Sequence, residues 1–416
     1  MKFIYSSVVF FTSILISFFS IFNSKLKNFL RGRKDTIKQI QGFKLKGIES
    51  LGPLVIWFHC SSLGEFEQCR PLIEKVKTYF PKYKVAISFF SPSGYNEKKN
   101  YELSDWTGYL PLENKKEINF LINFINPKVL VLAKNEFWPN LLYCLKKKHI
   151  PVISISCKFM VNQFFFYPMA GWFLKAIKTI DHFYTYDTET KKLLEEKSII
   201  NTSVVGDTRV DRVLNLLDNN KKLKIITDFT KNEDCWIAGS TWNEDYSLFV
   251  DYINKKTSPK VMIAPHNCNS KSISEITKKL KVPYALWSEY SFQNDKFKKV
   301  LIIDVIGVLK NAYGYAKWAY VGGGMGKSGL HNILEAAVYN IPVVIGKNYM
   351  KFPEALDLIK NGTCFSISTD IEFIKVVGLI SNIIEDKLTK NFNLVNNQKG
   401  ATEKIFSGLK KILEEE

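Results

Sequence analysis

Two runs of alternating strand and helix, divided by one polar stretch, constrain this chain more than any other feature. LVIWFHC (54–60), KVAISFF (84–90), VLVLA (129–133) and PVISISC (151–157) are apolar runs of buried-strand length. HFYTYD (182–187) and TSVVGD (202–207) continue the series, and helical spacing fills 65–80 and 139–149. This alternation predicts an α/β fold, a parallel sheet with helices on both faces. LDNNKKLKIITDFTKNED (217–234) then reads as a linker. The rhythm restarts with CWIAGS (235–240), KVMIAP (260–265), VLIID (300–304), WAYVGG (318–323) and PVVIG (342–346), and a closing helix ends the chain. The expected divisions are 1–24, 25–216, 217–234, 235–390 and 391–416. In paired α/β halves, ligands bind at the C-terminal ends of the strands.

The chain has 416 residues, more than one core normally organises. Its 46% hydrophobic and 24% charged residues exclude disordered, collagen-like and coiled-coil classes. Seven cysteines, with no CxxC pair, argue against a disulfide framework or structural zinc and favour a reducing compartment. Five histidines without HExxH give no metal signature, so no metal and no cofactor are expected.

The net charge of +18 favours an anionic partner. Part of it reflects a general richness in Lys, Asn, Ile and Phe. Residues 1–50 carry nine Lys/Arg against two acids. A basic segment beside an apolar run fits a membrane surface better than nucleic acid, for which no recognition motif is present. Residues 3–22 contain no charge and no proline, long enough for a membrane helix. Lys25, Lys27, Arg31, Arg33 and Lys34 follow, which places the body of the chain in the cytoplasm by the positive-inside rule. A signal peptide fits worse, because no small-x-small cleavage site follows. Five Ser and one Thr in the run leave open a helix lying in the interface.

Four motifs sit after strands. In SSLGEFEQ (61–68), Gly64 permits a tight turn, and Glu65 opens a helix where a carboxylate can act as general base. The structural alternative is a capping box of Ser62 and Glu65. In NEFWPN (135–140), Pro139 suits a first helical turn and Glu136 precedes it, as a site residue or a capping one. In VVGDTRVDRV (204–213), Arg209 can hold a carboxylate or phosphate, or pair with Asp207 or Asp211. In YVGGGMGKSGLHNILEAA (320–337), a glycine-rich loop containing Gly323 and Gly324 runs into an expected helix over 330–339. Loop N–H groups and a helix N-terminus together suit a phosphate, and Glu335 suits a ribose diol. The loop is not a Walker A motif, because Val321 stands six positions before Lys327 where glycine is needed. GSTW (239–242), APHN (264–267) and DVIGVL (304–309) also follow strands.

SSLGE, SPSG (91–94), NEFWPN, GDTRVD, GSTW, APHN and GGG…GLHNILEAA, in this order, resemble the 3-deoxy-D-manno-octulosonic acid (Kdo) transferases of lipopolysaccharide assembly, in a Bacteroidetes-like form. The resemblance implies a B-type glycosyltransferase fold: two Rossmann-like domains facing a cleft, acceptor side first, nucleotide-sugar side second. It implies metal-free, inverting transfer from CMP-Kdo to a lipid A precursor, lipid IVA, at the cytoplasmic face of the bacterial inner membrane. By motif, Glu65 matches the proposed base, with Ser62 and Gly64 on the acceptor side. Glu136 and Arg209 match transition-state stabilisers. Pro265, His266, Gly307, Val308, Leu309, Gly323, Gly324, Asn332, Ile333, Leu334 and Glu335 match donor-binding segments. The chain departs from the family where Pro-Arg-His is reduced to Pro265-His266, where Val308 replaces Glu, and where Arg209 replaces Lys. Rival readings are another B-type glycosyltransferase, a sugar-nucleotide epimerase, or a basic membrane-binding protein without catalysis.

Overall fold

The computed structural model describes residues 2–218, 223–231, 233–255, 257–295, 297–327, 329–383, 389, 393 and 395–414. Met1 of the expected anchor, parts of the expected linker (219–222 and 232) and parts of the final segment (391, 392, 394, 415 and 416) lie outside the described residues. Two compact domains result. The first comprises Met1–Asp211 with Gly400–Glu416, the second Arg212–Lys399.

The first domain holds a seven-stranded sheet: β1 (Val55–Cys60), β2 (Lys84–Phe89), β3 (Trp106–Tyr109), β4 (Val129–Ala133), β5 (Val152–Cys157), β6 (His182–Thr185) and β7 (Thr202–Val204). The order is β3-β2-β1-β4-β5-β6-β7, and every pairing is parallel. β1 shows why these runs are apolar throughout. Val55 and Trp57 enter one core with Leu121, Phe124 and Leu130. Ile56, Phe58 and Cys60 enter the opposite core with Phe66, Leu72 and Val131. A strand covered on both faces loses the polar alternation of a half-exposed one. The helix Ala401–Glu414 returns from the end of the chain to pack Ile405, Phe406 and Leu409 into that second core. Asp211 fixes its start, accepting from Gly400 N at 2.6 Å and Thr402 N at 2.7 Å.

The second domain repeats the plan with β8 (Cys235–Thr241), β9 (Lys260–Pro265), β10 (Tyr284–Leu286), β11 (Val300–Ile302), β12 (Ala319–Val321), β13 (Val343–Gly346) and β14 (Cys364–Ile367). Its order is β10-β11-β9-β8-β12-β13-β14, again all parallel. Trp236 and Trp318 stack at 4.4 Å in its core.

The chain direction across each sheet switches between β1 and β4 and between β8 and β12. Side chains following these four strands therefore meet at the two topological switch points, where open α/β sheets bind ligands.

The N-terminal helix differs from expectation. It covers Lys2–Phe19, 18 residues, or about 27 Å at the rise of an α-helix. Among the described residues no helix is long and apolar enough to cross a membrane, so a spanning anchor over 1–24 finds no support. The helix docks on its own domain instead. Tyr5 OH donates to Glu113 Oε2 at 2.9 Å, and the Tyr5 ring lies 4.7 Å from Trp172. Phe11, Ile14, Leu15, Phe18 and Phe19 stay exposed.

Candidate active site

At the switch point of the first domain, β1 ends in His59 and Cys60 and is followed by Ser61, and β4 leads into Lys134 and Glu136. The helix Leu63–Tyr79 begins at Ser62, whose backbone is extended and whose side chain makes no capping bond. The Ser62 side of the expected capping box is absent, and the Glu65 carboxylate turns back to accept from Ser61 N–H, one residue before the cap. Gly64 has no positive φ, so the turn does not require glycine. A Cβ there would meet only Ser62 Oγ, at 4.0 Å, which leaves the helix entrance open.

Glu136 lies in the loop before the helix Pro139–Lys147. Its Oε2 accepts from Trp138 Nε1 at 3.2 Å and lies 3.8 Å from His59 Nε2. Burial, with the Glu65 charge beside it, pushes the Glu136 carboxyl up to about 8. Burial also raises Glu65, but Lys134 and the Ser61 and Ser62 N–H groups oppose that shift. Two interacting carboxyls in one half-buried site favour a singly protonated pair. The cation and backbone donors favour Glu65 as the ionised member. Glu136 keeps the proton, a partition suited to one base and one neutral hydrogen-bond donor.

Arg209 adopts the salt-bridge alternative. Its Nη2 meets Asp207 Oδ2 at 2.6 Å, and its Nε meets both Asp207 oxygens at 3.1 Å. Burial alone would raise the Asp207 carboxyl, yet the guanidinium holds it below its usual range. Gln68 and Lys134 also act on Asp207. The Arg209 cation therefore faces a fixed counter-charge.

In the second domain, Asp245 organises the switch point. It accepts from Trp242 N at 2.8 Å, Gly323 N at 3.2 Å and Tyr320 OH at 2.7 Å, tying the loops after β8 and β12 together. Trp242 stacks on His266 at 4.6 Å and donates through Nε1 to His331 Nε2 at 3.0 Å. His266 and His331 stack at 4.5 Å. Burial, with His266 beside it, pushes the His331 imidazole down to about 3, so this ring is neutral at neutral pH. Pro265 ends β9, and His266 N donates to Thr241 O at 2.9 Å.

The glycine loop needs a correction. The expected helix over 330–339 shrinks to Leu334–Ala337, four residues, too short for a helix-terminal anion site. The glycines have packing reasons instead. Gly323 sits at φ 89°, and a Cβ there would lie 2.2 Å from Gly329 O. At Gly324 a Cβ would lie 2.9 Å from Gly346 Cα, where this loop crosses the end of β13. Asn332 Nδ2 donates to Glu335 Oε1 at 3.4 Å, and Asn332 Oδ1 accepts from Leu334 N, with Ile333 buried between them. Gly307 has a positive φ, and Val308 precedes a short helix starting at Leu309. A methyl on Gly239 would meet Leu309 Cδ1 at 2.9 Å, so Leu309 reaches the end of β8.

Sequence reasoning did not single out His59, Lys134 or Asp245. Lys134 carried a usable signal, as the residue directly after an apolar strand. His59 and Asp245 carried none.

Residues 31–212 match the family model described as 3-deoxy-D-manno-octulosonic-acid transferase (kdotransferase). The chain is 25% identical over 385 residues to the Kdo transferase of Haemophilus influenzae, covering 87% of this chain and 88% of that one. It is 24% identical over 409 residues to the Kdo transferase of Chlamydophila psittaci, covering 93% and 92%. A bifunctional glycosyltransferase/methyltransferase of Fusobacterium nucleatum is 25% identical, and the chain spans about half of it, 52%. In fold, the chain matches a UDP-N-acetylglucosamine 2-epimerase of Listeria monocytogenes with a TM-score of 0.57 at 11% identity, covering 88% of this chain and 98% of that one. The two parallel-sheet domains are consistent with a B-type glycosyltransferase fold. Residues 31–212 thus match the Kdo transferase model, and the chain is similar over most of its length to curated Kdo transferases, which are glycosyltransferases.

Proposed function

We propose that the protein transfers Kdo from CMP-Kdo to a lipid A precursor with inversion, at the cytoplasmic face of the inner membrane. The observation that carries this reading is the half-buried, mutually interacting Glu65 and Glu136 pair at the switch point of the domain matching the Kdo transferase model. Ionised Glu65 takes the proton of the attacking acceptor hydroxyl, near Ser62 and Gly64. The acceptor oxygen bonds to the anomeric carbon of Kdo as the bond from that carbon to the CMP phosphate oxygen breaks, and CMP leaves with the electron pair. Neutral Glu136 donates a hydrogen bond to charge developing in the transition state. Arg209, already paired with Asp207, acts as an oriented cation of small net charge. Pro265, His266, the 307–309 segment, Gly323, Gly324 and residues 332–335 form the donor side. The exposed apolar side of the helix Lys2–Phe19, with exposed Lys27, Arg31 and Lys34 after it, supports docking on an anionic lipid surface.

The test is direct. The protein is incubated with CMP-Kdo and lipid IVA, and the lipid is weighed by mass spectrometry. A mass gain of one or more Kdo residues is expected; its absence, where a known transferase reacts, contradicts the reading. The fold shared with UDP-N-acetylglucosamine 2-epimerases makes epimerisation the rival, and that reading expects UDP to bind better than CMP.

A further inference from the structure

Beneath the N-terminal helix lies a cavity of about 640 Å³, within the ~300–1,000 Å³ range of small-ligand sites. Val9, Leu30, Ile37 and Leu112 line it and are only partly buried. Lys34, Lys38 and Lys115 line it too and are exposed. Apolar walls with ammonium groups at the rim complement an amphiphile with an apolar tail and an anionic head. Arg33 adds a second mark. It lines the cavity at 5% exposure, and its Nε is buried with no hydrogen-bond partner among the described residues. Nη1 donates to Phe29 O at 3.0 Å and Nη2 to Phe90 O at 2.8 Å, which fixes the guanidinium plane in the wall.

The cavity also shares its framework with the catalytic loop. The Arg33 guanidinium lies 4.6 Å from the Phe90 ring centroid. Phe90 stacks on Trp138 at 4.7 Å, and Trp138 holds Glu136. On the other wall, Glu113 accepts from Asn140 N at 2.8 Å and Leu141 N at 3.2 Å, at the start of the helix following Glu136. The same Glu113 carboxylate receives Tyr5 from the N-terminal helix.

We propose that this cavity seats one acyl chain of the lipid acceptor, with the anionic head among Lys34, Lys38 and Lys115 at its rim. The inference rests on the Kdo-transfer reading and specifies where the acceptor is held. The framework shared with Glu136 favours the acceptor over bulk phospholipid.

The experiment uses full-length protein with two acceptors, lipid IVA and its fully deacylated bisphosphate disaccharide. Leu30→Trp and Ile37→Trp fill the cavity, and thermal melts confirm folding. KM for lipid IVA should rise about tenfold, while KM for CMP-Kdo and for the deacylated acceptor stays unchanged. An unchanged KM for lipid IVA in both folded variants overturns the cavity proposal while leaving Kdo transfer intact. If the wild type transfers nothing, the Kdo-transfer reading fails and the assignment of the acceptor to this cavity fails with it. A second readout does not depend on turnover: lipid IVA bearing a photoreactive diazirine on one acyl chain should label peptides containing Leu30, Ile37 or Leu112. Equal labelling by a diazirine-bearing phosphatidylglycerol, not displaced by lipid IVA, overturns the acceptor assignment.

Discussion

Nε2 of His59 lies 3.8 Å from Oε2 of Glu136 and has no hydrogen-bond partner among the described residues. The other ring nitrogen, Nδ1, is engaged by Ser88, at 3.1 Å to its carbonyl and 2.8 Å to its hydroxyl. Burial pushes the imidazole down to about 3, so the ring is neutral. With the Nδ1 proton donated to the Ser88 carbonyl, Nε2 presents a lone pair toward Glu136. That lone pair disfavours negative charge on the carboxyl opposite it and so adds to the bias that keeps the proton on Glu136. His59→Phe should therefore lower kcat and move the alkaline limb of the kcat profile to lower pH, while His59→Gln should restore part of both. A lower kcat with an unmoved limb would reduce His59 to a packing role.

The shared proton predicts a bell-shaped profile of kcat/KM against pH. The acid limb reports protonation of the pair, and the alkaline limb, near pH 8, reports loss of its last proton. Glu136→Gln should remove the alkaline limb, because the amide stays neutral and still donates a hydrogen bond.

The same substitution has a stability signature. A carboxyl raised in the folded state contributes its full stability below its unfolded pKa and loses it as pH rises through the folded value. For Glu136 that window runs from its ordinary carboxyl range up to about 8. Glu136→Gln should therefore stabilise the protein at pH 8.5, by on the order of 2 kcal/mol, and by much less at pH 4.5. Thermal melts at the two pH values measure the difference.

Arg209 and Asp207 form a buried pair, with Asp207 at 1% exposure and Arg209 at 8%. Arg209→Ala should cost about 3 kcal/mol of stability, because it strands a buried carboxylate. Asp207→Asn in the same chain should recover most of that loss without restoring transfer. Urea unfolding and turnover measured on both variants separate the structural share from the catalytic one.

Gly323 gives the clearest backbone prediction. Its φ of 89° and the close approach of Gly329 O leave no room for a methyl. Gly323→Ala should loosen the bond from Gly323 N to Asp245 and raise the Kd for CMP about tenfold, by calorimetry.

Much of this was legible in the sequence. Strands buried on both faces announce themselves as unbroken apolar runs, and residues just after them, Glu65, Glu136 and Trp242, follow from the Rossmann rule. Short edge strands did not announce themselves. Trp106–Tyr109 and Tyr284–Leu286 are too brief to stand out, and pairing with a neighbour decides them. The return of Ala401–Glu414 to the first domain depends on Asp211 and a distant core, which no local pattern encodes. The helix expected after the glycine loop was overextended for a physical reason: glycines that permit close backbone crossings read the same as glycines that open a long helix, and only Leu334–Ala337 is helical. His59 lay hidden because a histidine inside an apolar strand reads as core until its neighbours are known.

Transfer by Glu65→Gln protein tests the central claim most directly. The amide keeps the size of the side chain but cannot take a proton. With CMP-Kdo and lipid IVA, kcat should fall about a thousandfold, with CMP binding and the melting temperature close to wild type. Retention of more than a tenth of wild-type kcat would contradict Glu65 as the base.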